Sequence, residues 1–340
     1  MLNPKLKLNP KLFSDPSTSS GQVCEQEPIR KGFGEGLVKI GEINENVVAL
    51  CADLTESTQM HKFKEKFPNR FVEIGVAEQN LVTVASGMSA MGKIPFCSSY
   101  AMFSPGRNWE QIRTTIAYND RKVIVVGSHA GISVGPDGGT HQALEDIALM
   151  RVIPNMEVYS PCDSIEARKI TMELLNTKKP AYLRLAREKT PVITTEETPF
   201  NLNNAEYFWL PEVGIAEVGI IVTGSLTYNA LLAAKELEKE GIKTKVLKIS
   251  SIKPIDKEKV IELAKETKKI VTVEEHQVAC GLGSLVAEIL SENYPVPVSF
   301  VGVQDKFGQS GTPEELIKHY GIDKDSIKEA VKKVFKRKQK

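Results

Sequence analysis

The chain has 340 residues, enough for two domains with a hydrophobic core each. Its 44 basic and 43 acidic residues leave a net charge of +1, so no whole-chain field directs it to nucleic acid or a membrane surface. Five scattered cysteines without CxxC spacing argue for reduced thiols in a cytoplasm and against a structural zinc site, and no apolar run suits a membrane span or export signal.

In chain order, residues 1–27 hold a repeated Leu-Asn-Pro-Lys-Leu and then SDPSTSSGQ, a breaker-rich composition that predicts a flexible N-terminal arm. Pro28 suits the first turn of a helix running to Ile40. The GFGEG within it follows no strand and lacks dinucleotide-binding spacing. Apolar runs then predict strands at Val47–Cys51, Phe71–Ile74, Ile94–Cys97, Val123–Gly127, Met156–Tyr159 and Ala181–Arg184. Helices are predicted near 59–67, 78–91, 108–118, 142–150 and 163–176. This alternation predicts an α/β domain over 28–190, a mostly parallel sheet with helices on both faces. Residues 191–214 lack periodicity and are rich in Thr, Pro and Asn, the composition of a linker. A smaller α/β domain is predicted over 215–337, with strands Gly219–Thr223, Lys245–Ile249, Ile270–Glu274 and Val298–Val303. Both domains are thus three-layer αβα units. Gly281 and Gly283 follow a strand, and close helix–strand packing explains them better than phosphate binding. The basic tail from Lys332 reads as a solvated helix end rather than an RNA patch.

Ligands of such sheets bind beyond the carboxyl ends of the strands, and the residues with chemical potential fall there. Glu78 opens a helix directly after the strand at Phe71; taken alone, a carboxylate there is explained by the helix dipole. Tyr100 and Phe103 follow the third strand and would pass as core aromatics. The Gly-rich GSHAGISVGPDGGTHQ, Gly127 to Gln142, lets backbone approach a ligand closely but lacks the Gly-Lys-Ser/Thr of a P-loop. Its His129 and His141 have no third ligand at metal-binding spacing.

The run Ala77-Glu78-Gln79-Asn80, its small-residue helix and the following PFCSSYAMF resemble the pyrimidine-binding domain of transketolases, in order from Arg30 to Arg187. VEEH…GLGS from Val273 and VQDKFGQSG from Val303 resemble that family's C-terminal domain. The resemblance implies that Glu78 contacts the aminopyrimidine of thiamine diphosphate and favours the tautomer that generates the cofactor's ylide, a task that a burial-raised carboxyl pKa would assist. It implies that Phe103 stacks on the pyrimidine with Tyr100 beside it, and that His129 and Asp137 contact sugar hydroxyls. His141 would reach sugar or phosphate, and Arg30, Ser57 and Arg187 would hold a terminal phosphate. SPGR, Ser104 to Arg107, carries one extra residue relative to the family, which leaves Arg107 without an assigned role.

No Gly-Asp-Gly of the kind that holds the diphosphate through Mg2+ occurs in the chain. The resemblance is therefore to the C-terminal subunit of a split transketolase of the pentose phosphate pathway, working in the cytoplasm on sugar phosphates. Its partner would be an N-terminal subunit carrying Mg2+, in an α2β2 heterotetramer. A 1-deoxyxylulose-5-phosphate synthase half or a 2-oxo acid dehydrogenase β subunit shares the architecture. A catalytically silent cofactor-binding or scaffold subunit is the non-enzyme alternative.

Overall fold

A computed structural model describes residues 1–14 and 24–337. Its strands in chain order are β1 (Gln26–Pro28), β2 (Val47–Cys51), β3 (Phe71–Glu73), β4 (Ile94–Tyr100), β5 (Ile124–Ser128), β6 (Glu157–Tyr159), β7 (Ala181–Arg184) and β8 (Lys189–Pro191). There follow β9 (Glu206–Trp209), β10 (Val218–Val222), β11 (Thr244–Lys248), β12 (Ser251–Lys253), β13 (Ile270–Gln277) and β14 (Val298–Val303).

The first domain is a seven-stranded sheet in the order β12-β6-β7-β5-β4-β2-β3, parallel except at β12. Residues of β2 and β5 are buried throughout, as strands covered by helices on both faces must be. On one face the helix Ile29–Ile43 packs on the helix Ser164–Glu173, and the GFGEG run explains how closely: a Cβ on Gly32 would lie 1.7 Å from the Ser164 carbonyl oxygen. On the other face lies the helix Glu78–Ala90, which buries Leu81, Val82 and Ala85. The helix expected near 108–118 is a short turn at Trp109–Gln111 continued by a π-helix, Ile112–Ala117.

The second sheet has the order β14-β13-β10-β11-β9, parallel except at β9. Two of its features revise the expected boundaries. Strand β9 lies inside the stretch expected to be a linker, because Phe208 and Trp209 have an apolar core to enter. Strand β12, although it follows β11, pairs antiparallel with β6 and closes the edge of the first sheet. Residues 1–14, part of the expected flexible arm, are packed rather than free: Leu6, Leu8 and Leu12 are buried in the second domain's core. Asn3 donates to the Phe208 and Tyr207 carbonyls and Asn9 to those of Ile193 and Val192, so this segment touches both the β9 strand and the end of the first domain. The rest of the expected arm includes residues 15–23, which lie outside the described residues.

Buried charges join the domains. Lys248 of β11 pairs with Glu166 of the helix Ser164–Glu173, and both side chains are about as buried as core leucines. Ser250 Oγ and the Cys162 N–H also donate to the Glu166 carboxylate, which keeps its oxygens satisfied. No helix among the described residues is long and apolar enough to cross a membrane.

Candidate active site

The parallel sheet delivers one chemical group after another to its carboxyl edge. Glu78 follows β3, Tyr100 ends β4, His129 follows β5 and Arg187 lies three residues past β7. The β1–β8 ribbon pairs Pro28 with Lys189 and thereby brings Arg30 beside Arg187. Arg30 donates from its guanidinium to the Arg187 carbonyl, and burial lowers its pKa. Its Nε is buried without a partner among the described residues.

Glu78 is the first residue of its helix and is 3% exposed. Its carboxylate lies 3.4 Å from the Arg107 guanidinium, whose side chain is 57% exposed. Asn108 Nδ2 donates to the Glu78 carbonyl at 2.8 Å and to Ser104 Oγ at 3.1 Å, fixing the start of the helix. Arg107, with no role assigned from sequence, thus proves to be the charge opposite Glu78, and its guanidinium also lies 5.6 Å from the Phe103 ring centre. Only the fold could reveal this, since 29 residues separate the pair.

The aromatic residues form one cluster. Tyr100 stacks on His129 at 3.9 Å between ring centres and lies near-parallel to Phe103 at 6.3 Å. His141 meets the edges of both rings, 5.3 Å from Phe103 and 6.2 Å from Tyr100. His129 has a left-handed backbone, φ 56°, and its Nδ1 lies 2.9 Å from Ser128 Oγ, so Nε2 is the nitrogen left for a ligand. Burial, reinforced by Arg30, Arg187 and His141, pushes its pKa down to about 3. The imidazole is neutral at physiological pH.

Arg187 donates to the Val134 carbonyl, and its guanidinium lies 3.5 Å from the Asp137 carboxylate and 3.6 Å from that of Glu188. The structure thus gathers Arg30, His129, Asp137 and Arg187 around the Gly-rich loop. Ser57 is half-buried in the turn before the helix His61–Lys66, and among the described residues no hydrogen bond joins it to Arg30 or Arg187. Gly281 and Gly283 do not cradle a phosphate. The Glu274 carboxylate accepts the Leu282 and Gly283 N–H groups at 2.7 and 2.8 Å, filling that helix start. Among the described residues no cluster of three His, Cys, Asp or Glu suits a metal ion.

A mostly parallel sheet with a buried helix-start carboxylate and an aromatic cluster at its carboxyl edge, followed by a second αβ domain, is the arrangement to set against known families. The description "transketolase, pyrimidine binding domain" matches residues 26–192, and "transketolase, C-terminal domain" matches residues 212–327. The chain belongs to the transketolase family. It is 41% identical to a protein of Methanocaldococcus jannaschii named as a transketolase C-terminal section, over 91% of this chain and 96% of that protein. It is 39% identical to the 6-deoxy-6-sulfo-D-fructose transketolase subunit SqwH of a Clostridium species, over 92% of this chain and 96% of that one. A solved split-gene transketolase, described as an inactive β4 tetramer, superposes with a TM-score of 0.85 at 43% identity, covering 92% of this chain and 99% of that chain. The match to human transketolase, 34% identical, spans 93% of this chain but 50% of that protein.

Proposed function

We propose that this chain is the C-terminal subunit of a split transketolase, moving a two-carbon ketol unit from a ketose phosphate to an aldose phosphate when joined to an N-terminal subunit. The observation that supports it most is the single sheet edge that presents Glu78, the Tyr100–Phe103–His129 cluster and the Arg30–Arg187 pair together. The residues present fit the pyrimidine end of thiamine diphosphate: a buried carboxylate beside flat aromatic faces suits a ring carrying a basic nitrogen. Bound there, the cofactor supplies a nucleophilic carbon and an electron sink.

The chain's own residues do the rest. Glu78 would share a proton with the pyrimidine ring nitrogen, and Arg107, 3.4 Å from its carboxylate, holds that side chain in place. Phe103 and Tyr100 offer the ring apolar faces and exclude water. His129, neutral and pinned through Nδ1, offers Nε2 to a sugar hydroxyl without adding a charge to the site. Asp137 and His141 line the same loop, and Arg30 and Arg187 take the terminal phosphate, with Ser57 as a hydroxyl donor. The diphosphate and Mg2+ belong to the N-terminal partner in this reading, with two copies of each subunit. Relatives are named for 6-deoxy-6-sulfo-D-fructose and for apulose-4-phosphate transketolase activity, so the named substrate differs among proteins similar to this chain. We take sugar phosphates, including those of the pentose phosphate pathway, as the substrates here. Free Cys24, Cys51, Cys97, Cys162 and Cys280 suit a reducing cytoplasm.

The test is Glu78→Gln in the reconstituted two-subunit enzyme. It should fold normally and slow exchange of the cofactor's thiazolium C2 proton by ~10²–10⁴, the range for a lost acid–base group. Exchange at the wild-type rate would leave Glu78 as a helix-start carboxylate only.

A further inference from the structure

The loop that follows β5 is not held by its own domain alone. Glu275 projects from β13, in the second domain, and is 2% exposed. One of its carboxylate oxygens accepts the Ser133 N–H at 2.7 Å, and the other accepts the Ser225 hydroxyl. Gly131 lies against the same carboxylate with φ 92°, and a Cβ there would come within 2.3 Å of Glu275 Oε1. The Glu275 carbonyl in turn accepts Arg184 at 2.8 Å, and Arg184 Nε donates to Asp146 at 2.8 Å. The far end of the loop is tied to the second domain too: Gln142 Nε2 donates to the Ile132, Gly135 and Gln309 carbonyls.

We propose that Glu275 is a positioning residue, the second domain's anchor for the loop that presents Val134 and Asp137 to Arg187. A buried carboxylate accepting a backbone N–H fixes that peptide plane, and Ser133 is adjacent to Val134, whose carbonyl holds the Arg187 guanidinium. Releasing Ser133 frees the segment 131–137 to shift, and Arg187 loses the partner that aims it. The sequence showed Glu275 within VEEH without giving it a task, because its partners lie 142 and 50 residues away. The effect on substrate rests on the transketolase reading; the effect on the loop does not.

Two measurements test the proposal. Amide hydrogen exchange across 131–137 is read on the full chain, and KM and kcat for a ketose phosphate are read on the two-subunit enzyme. Glu275→Ala should speed loop exchange roughly 10-fold while the β2 and β5 strands keep their protection. It should raise KM roughly 10-fold, as loss of one charge-assisted hydrogen bond would, with kcat within about twofold. Glu275→Gln should restore most of both, since its amide oxygen takes the Ser133 N–H and its amide nitrogen donates to Ser225 Oγ. If Glu275→Ala fails to fold, Glu275→Asp is the readout; it keeps the charge but draws the carboxylate away from Ser133, and should loosen the loop. Wild-type loop exchange in Glu275→Ala, or in Glu275→Asp where that is the readout, overturns the proposal. So does a loss of kcat with KM unchanged. Loop loosening without any turnover by the wild-type enzyme would overturn the functional reading instead, leaving the anchor intact.

Discussion

Arg187→Ala separates phosphate recognition from chemistry. The Arg187 side chain is 29% exposed and shares its charge with Asp137 at 3.5 Å and Glu188 at 3.6 Å. Solvent and the two carboxylates both weaken its pull on a further anion, which places its contribution at the lower end for a charge-assisted hydrogen bond, about 1.5 kcal/mol. That corresponds to an increase of about tenfold in KM for a phosphorylated ketose donor. Hydroxypyruvate carries no phosphate and should bind almost as before. Losing the bond to Val134 also loosens the loop for every substrate, so the quantity to read is the ratio of the two KM changes. The assay follows intermediate formation from each donor in the two-subunit enzyme without acceptor. A ratio of about ten supports the assignment. A ratio near one would show that Arg187 supports only the loop, and the phosphate site would have to lie elsewhere.

Titration calorimetry of the chain alone should show weak or no binding of thiamine diphosphate with Mg2+, because the diphosphate and metal site lies on the partner in our reading; micromolar binding would contradict it. His129 gives stability a defined pH slope. Its folded pKa of about 3 lies below the unfolded value of about 6.5, so the unfolded chain binds the extra proton and stability falls as pH drops through that window. Between pH 7 and 5 this amounts to about 2 kcal/mol, and His129→Gln should remove that part of the slope in urea titrations. A mutant with the wild-type slope would place the titration elsewhere. Lys248→Met should destabilise by about 3–5 kcal/mol because it strands the buried Glu166 carboxylate, and adding Glu166→Gln should recover most of the loss. Urea midpoints check this; a double variant no more stable than the single would mean the charge is not what costs.

Much of this architecture is legible in the chain because its signals are local. Val47–Cys51 is an unbroken apolar run, as a strand buried on both faces requires, and the turn from Phe71 to Glu78 places the carboxylate at a helix start. The misses share a cause. Strands β9 and β12 fall outside the regular strand–helix alternation and exist because distant strands accept their hydrogen bonds. Leu6, Leu8 and Leu12 sit among prolines and lysines, a loop composition until Trp209 offers a surface. Within the site, the order of motifs located Glu78, His129 and the two arginines. It could not show Arg107 facing Glu78 or Asp137 facing Arg187, since both pairings depend on how loops from different strands fold over one edge.

Strand β12 also bears on how such a chain can be divided. A parallel sheet whose outermost strand is bare offers a row of unpaired N–H and C=O groups to any other extended segment. Here β6 is spared that exposure by a strand borrowed from beyond the domain boundary. A fragment cut after residue 192, where the pyrimidine-domain match stops, would uncover β6 and invite edge-to-edge aggregation. For gene splitting, domain shuffling or fusion, the indivisible unit therefore extends at least through Lys253.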